Sequence, residues 1–205
     1  MRFLGQSGFH LSKGGTSVLI DPFDSKSGEV DGEVIYCTHC HPDHVGGIPS
    51  FMERNPDAIL MTNEQVAGKF KQFSDRTVIA RDEESYKHGD WEFQFIAAKH
   101  GILRDLNIGV IVRNGDETFG HVGDTITFEG FISAMVDTIA VPITGILTTS
   151  PSQAITELKK FQPHPQTVVV MHWAFRNPKS FCRRLSVELP NVKCIVPKKG
   201  ELIPL

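Results

Sequence analysis

Apolar and polar positions along the chain change period several times. Short runs rich in Val, Ile and Phe recur at 9–11, 17–20, 34–37, 59–61, 78–80, 93–97, 108–112, 118–122, 138–141, 168–171 and 194–196. Runs of this length and composition, bounded by Gly, Pro, Asn and Asp, read as strands. Two helix starts are legible between them. Ser150-Pro151-Ser152-Gln153 is a capping box with Pro at the first helical position, followed by Ala154, Ile155, Leu158 and Phe161 on one face. Thr62-Asn63-Glu64-Gln65 repeats the box ahead of Val66, Ala67 and Phe70, and a third helix is predicted after Asn177-Pro178. The first third reads as hairpin-like and strand-rich, and the later strands alternate with helices. Periodicity alone therefore predicts an α/β protein with a mixed sheet or two sheets and helices outside.

Composition narrows this picture without adding chemistry. At about 150 residues per domain, a chain of 205 residues that is 40% apolar is expected to form a single domain over 1–205. The formal net charge is −3 and no basic block stands out, which argues against a groove for long nucleic acids. Met1-Arg2-Phe3-Leu4 runs directly into Gly5-Gln6-Ser7-Gly8, too short for a signal-peptide core, and no apolar run reaches about 18 residues. The expectation is a cytoplasmic protein with no membrane contact. Its four Cys, at 37, 40, 182 and 194, are then expected to be reduced thiols.

The informative stretch is Thr38-His39-Cys40-His41-Pro42-Asp43-His44, an H-x-H-x-D-H pattern directly after the predicted strand 34–37. Random order would produce it in roughly one chain per thousand. Three imidazoles and a carboxylate within six residues suit a borderline-soft divalent metal, since zinc takes His nitrogen and Asp oxygen. One tight loop cannot aim all four side chains at one ion. Alternation along the loop pairs His39 with His41 for one metal and leaves Asp43 and His44 for a second. Further ligands stand in equivalent places: His100 after strand 93–97, Asp124 after strand 118–122, and His172 after strand 168–171. Convergence of four strand ends on one crevice is the expectation that follows.

With these residues in view, the chain resembles the metallo-β-lactamase superfamily. The matching positions are Asp21 in Leu19-Ile20-Asp21-Pro22, His39, His41, Asp43, His44, His100, Asp124 in Gly123-Asp124-Thr125, and His172 before Trp173. The length and the Leu-Gly-Gln-Ser-Gly-Phe opening are most similar to small metal-dependent hydrolases that include L-ascorbate-6-phosphate lactonase-like proteins. That subgroup often carries His where this chain has Gln6. The resemblance implies a four-layer αββα sandwich with the metal site at the sheet edge. It implies two divalent ions, one held by His39, His41 and His100, the other by Asp43, His44 and His172, with Asp124 bridging. His at position 41 favours zinc, although manganese and iron share the same ligand preferences.

The function expected from this site is metal-dependent hydrolysis of a small ester, lactone or phosphoester by a dinuclear metal-bound hydroxide. Asp43 or Asp124 is the candidate proton acceptor. A phosphodiesterase or nuclease with the same site is the main alternative, and a non-catalytic metal-binding module is a third reading. Asp21 is expected to orient a ligand His rather than to bind metal. Arg104, Arg176 and Trp173 lie near the candidate ligand loops and are readable as contacts to an anionic or apolar substrate group or, at least as well, as surface residues. The Cys37-x-x-Cys40 pair overlaps the metal motif and does not open a helix, so a redox role is not expected. Of the remaining His, His121 reads as a satisfied strand residue, His10 as lying on a solvated strand face, and His88 and His164 as surface residues.

Overall fold

The computed structural model describes residues 1–101 and 105–205. The chain divides into two compact units, Met1–Arg81 with Lys198–Pro204, and Asp82–Pro197 with Leu205.

The first unit is built on a six-stranded sheet of β1 (Arg2–Gly5), β2 (Gly8–Lys13), β3 (Thr16–Ile20), β4 (Val34–Cys37), β5 (Ile59–Thr62) and β6 (Thr77–Ile79), which lie in sequence order. β1, β2 and β3 form an antiparallel meander. From β3 onward the neighbours are parallel, in register Leu19 to Ile35 to Leu60. Parallel neighbours need crossover connections. These carry the short helices α1 (Ser25–Gly28), α2 (Pro42–Val45) and α3 (Ile48–Arg54), and α4 (Glu64–Lys69). Leu19, Ile35 and Leu60 pack with Val45, Ile48, Phe51, Met52 and Val66 in one buried cluster. Burying each such side chain stabilises the fold by about 1.5–3 kcal/mol, so this cluster fixes α3 against the sheet.

The predicted second box is shifted by one residue. Asn63, not Thr62, caps α4, accepting from the backbone N–H groups of Gln65 and Val66. Thr62 ends β5 and donates its hydroxyl to the carbonyl of Cys37 at 2.8 Å. Either side chain could cap a helix; the strand ladder claims the first.

The second unit is built on a seven-stranded sheet of β7 (Ser85–His88), β8 (Trp91–Ala97), β9 (Ile108–Asn114), β10 (Glu117–His121), β11 (Thr138–Pro142), β12 (Thr167–Met171) and β13 (Lys193–Ile195), again in sequence order. β7 to β10 form an antiparallel meander, and β10 to β13 are parallel. Helices α5 (Pro151–Leu158) and α6 (Pro178–Glu188) begin where expected. Ser150 and Gln153 close a reciprocal capping box, and Asn177 accepts from Ser180 N–H ahead of Pro178.

One expectation is overturned here. Cys182 on α6 and Cys194 on β13 form a disulfide with Cα atoms 5.4 Å apart, whereas Cys37 and Cys40 are buried free thiols. The chain returns from α6 to β13 within twelve residues, and Phe181 and Leu185 are buried. That packing sets the intervening Cys182 beside Cys194.

Candidate functional site

Each sheet turns from meander to parallel strands, and within each sheet the candidate residues follow the C-terminal ends of strands that run in one direction. In the first unit Asp21 follows β3, and Thr38 and His39 follow β4. In the second, Asp124 follows β10, Thr144 follows β11 and His172 follows β12. β8 and β10 are both antiparallel to β9, so His100, after β8, leaves its sheet in the same direction. Strand ends of this kind form the usual crevice of open α/β sheets.

Asp21 organises the first group. Its carboxylate is fully buried and accepts the backbone N–H of Thr38 at 2.8 Å, the Thr38 hydroxyl at 2.7 Å and His44 Nδ1 at 2.7 Å. The Thr38 hydroxyl has one proton and gives it to Asp21, so it accepts from His39 Nδ1, 3.0 Å away. Both imidazoles are thereby assigned a proton on Nδ1, which makes Nε2 the lone-pair nitrogen of each. The His39 ring centroid lies 3.9 Å from that of His44 and 4.6 Å from that of His41. His41 caps α2 through its backbone. Asp43, in the first turn of α2, accepts from Gln6 Nε2 at 3.0 Å, and its side chain is 40% exposed. Asp43 Oδ2 is 3.9 Å from His44 Nε2.

Close packing behind the motif explains the two glycines that follow it. A Cβ on Gly46 would come within 2.4 Å of the Phe23 carbonyl oxygen, so no other residue fits without shifting the loop. The motif loop is thus held from below by glycine contacts and from the side by Asp21.

The second group is laced in the same manner. Thr144 Oγ1 bonds to the His172 carbonyl and lies 2.8 Å from His172 Nδ1. Its proton goes to the carbonyl, so Nδ1–H donates to the hydroxyl and Nε2 is again the lone-pair nitrogen. That Nε2 stands 3.3 Å from Asp124 Oδ2. His100 and Asp124 each offer a ligand atom within 4.8 Å of the other. Their loops are tied directly: the Thr125 hydroxyl and the Ile126 N–H both donate to the Lys99 carbonyl at 3.0 Å. Buried Asn107 donates to the Asp124 carbonyl at 2.9 Å. His100 and Asp124 are buried and His172 is half-buried.

Within each unit the structure therefore brings its share of the predicted residues together. Thr38 and Thr144 are site neighbours to which the motif reading gives no role, because a Thr in a loop carries no signature of its own, and Gln6, noted only as a departure from the resembling subgroup, holds Asp43. A signal does exist for Thr144, since β11 ends in the same direction as β10 and β12. Arg176 braces this region, with Nε donating to the Thr144 carbonyl at 2.7 Å. Arg104 lies outside the described residues. His121 is buried in β10, and its Nδ1 accepts the Gly123 N–H at 3.2 Å, which makes it the satisfied strand His expected.

Comparison with known proteins places the chain in a class. A family model described as the beta-lactamase superfamily domain matches residues 15–173, most of the chain, and the protein belongs to that family. A UPF0173 metal-dependent hydrolase of Thermus thermophilus is 27% identical over 190 residues, covering 84% of this chain and 83% of the relative. A UPF0173 metal-dependent hydrolase of Aeropyrum pernix is 24% identical, covering 98% and 95%. Among solved structures, Igni18, a metallo hydrolase from the hyperthermophilic archaeon Ignicoccus hospitalis, has a TM-score of 0.83 at 23% identity and covers 98% of this chain and 95% of its own. Two mixed sheets with flanking helices match the metallo-β-lactamase sandwich fold. Among the described residues no helix is long and apolar enough to cross a membrane.

Proposed function

We propose that the protein is a metal-dependent hydrolase acting on a small ester, lactone or phosphoester through a pair of divalent cations. In this reading His39, His41 and His100 would hold one ion and Asp43, His44 and His172 the other, with Asp124 available to both. The observation that carries it is the assignment of Nδ1–H to His39, His44 and His172 by Thr38, Asp21 and Thr144. Metal-binding imidazoles are commonly oriented in this way, one nitrogen held by a carboxylate or other acceptor and the other turned to the ion. An all-His/Asp donor set suits zinc, and its ligand types overlap those of iron and manganese.

Bound cations would supply Lewis acidity and bring the pKa of water toward neutrality. The chain's own residues do the rest. Asp124, with two carboxylate oxygens, can serve two positive centres, which a neutral imidazole cannot. The half-exposed Asp43 is the group placed to take a proton from an attacking water at a carboxylate oxygen, with Gln6 fixing its rotamer. Asp21, buried and triply hydrogen-bonded, keeps its charge on the ligand imidazoles rather than on substrate. Neither a Ser nor a Cys nucleophile is required. The net charge of −3 favours small substrates over long nucleic acids.

The test is metal quantification on untagged protein together with a panel of lactones, esters and phosphodiesters. The expected result is two equivalents of metal and turnover of at least one class. Asp124→Ala should reduce metal content and lower kcat/KM by about a hundredfold or more. Full metal content and undiminished turnover in that variant would overturn the assignment.

A further inference from the structure

Two loops of the second unit hold large apolar side chains in water beside candidate ligands. Phe175, past the end of β12, is 95% exposed, and Ile146, past the end of β11, is 61% exposed. Scattered exposed hydrophobes are ordinary, but these two stand on loops that the same contacts fix to the site. Thr144 bonds to His172, and Arg176 Nε donates to the Thr144 carbonyl at 2.7 Å. The Arg176 N–H closes the 172–176 turn on the Trp173 carbonyl, also at 2.7 Å. The other end of the arrangement abuts His100. A Cβ on Gly101 would lie 2.9 Å from the Cα of Leu147, so the residue after Ile146 packs against the turn that carries His100.

Backbone conformation singles out the same loops. His172, Phe175 and Leu147 have φ of 47°, 65° and 63°, in the left-handed region that bulky L-residues avoid. Such conformations persist where surrounding structure enforces them, and they concentrate at ligand clamps and active sites. Here Thr144 holds His172, Arg176 closes the turn that contains Phe175, and Leu147 packs against Gly101. The result is a braced edge that presents an aromatic ring and a branched aliphatic chain to solvent, on the two loops that carry His172 and its partner Thr144.

We propose that Phe175 and Ile146 form an apolar lip of the active site and that the preferred substrates carry an apolar acyl group on the scissile carbonyl. This rests on the hydrolytic reading above. The occupant is substrate rather than a second protein, because the loops that bear the lip also bear His172 and pack on the His100 turn. A protein seated there would close the ligand edge to water. Arg176 is a positioning residue in this scheme, since its Nε is engaged in holding the β11 loop.

The experiment uses the full chain loaded with zinc and measures binding of octanoate and acetate by calorimetry, with p-nitrophenyl octanoate and acetate as substrates. Wild type should bind octanoate at least tenfold more tightly than acetate. The double variant Ile146→Ser/Phe175→Asn should lose about tenfold or more of octanoate affinity, and the octanoate-to-acetate ratio of kcat/KM should fall to match, through KM. Asn is among the residues that best tolerate left-handed φ, so the variant leaves the turn intact, and Phe175→Trp should retain octanoate binding. Equal octanoate affinity in wild type and double variant, or no preference in wild type, overturns the lip. So does a wild-type dimer in sedimentation that the double variant dissolves. If neither ester is turned over, hydrolysis of this substrate class fails, while the octanoate titration still decides the lip.

Discussion

At the scale of single residues, one buried carboxylate organises most of the first half-site. Asp21 sits at φ 44°, and its carboxylate accepts from Thr38 and His44. Replacing it by Asn would offer His44 Nδ1 an amide and remove the charge that favours the Nδ1–H tautomer. Asp21→Asn should weaken metal affinity by about 10–100-fold, measured by competition with a chelating dye. A second residue-scale device anchors the segment that follows Asp124. Glu157 on α5 accepts the Thr127 hydroxyl at 2.9 Å and the Phe128 N–H at 3.0 Å, and pairs with Lys160. Burial pushes its pKa up, but these hydrogen bonds outweigh that and leave it below the ordinary carboxylate value. A carboxyl depressed on folding adds stability that is fully present above its unfolded pKa, about 4.3, and is lost as pH falls through its folded value. Glu157→Gln should therefore cost about 1–3 kcal/mol at pH 7, and chemical denaturation should find the difference shrinking once the pH drops below about 4.

At the scale of elements, the strands with strong apolar runs were legible to within two residues at each end, and 34–37 matched outright. β1 and β7 were not, for different reasons. Arg2–Gly5 is a short edge run whose pairing partners are β2 and, through Phe3, the distant Glu201 carbonyl. Ser85–His88 is polar and mostly exposed, so it has no apolar alternation to read. Helices α1, α2 and α3 are four, four and seven residues long, too short for helical periodicity to emerge. The helix α6 was announced by Asn177-Pro178, but its tie to β13 was not, since nothing in the sequence pairs Cys182 with Cys194. Closing a loop of this size restricts the unfolded chain, and Cys182→Ser should lower stability by about 2–4 kcal/mol under oxidising conditions. Thermal melts of both proteins with and without reductant check this: reductant should bring wild type toward the variant and leave the variant unchanged.

At the scale of the whole molecule, two sheets repeat one plan, a meander that feeds parallel strands. The plan matters because, within each sheet, residues far apart in sequence emerge from strand ends that share a direction. If the proposed ligand set binds metal, the ions stabilise the native chain by mass action, by about 4 kcal/mol at a thousandfold excess over Kd. Exhaustive removal of metal by chelation should lower the melting temperature by several degrees, and added zinc should restore it. An unchanged melt would argue against tight ions. The sequence alone determined the alternation of strands and helices, the helix starts at Ser150 and Asn177, and the motif His39-x-His41-x-Asp43-His44. These are set by local periodicity, capping chemistry and spacing, which neighbours in the chain decide among themselves. Tertiary structure alone decided that Thr38 relays Asp21 to His39, that Thr144 holds His172, that Asn63 displaces Thr62 as a cap, and that Cys182 meets Cys194. Each of those depends on which groups the folded backbone leaves within about 3 Å of one another, or within reach of a disulfide, and no spacing along the chain encodes that distance.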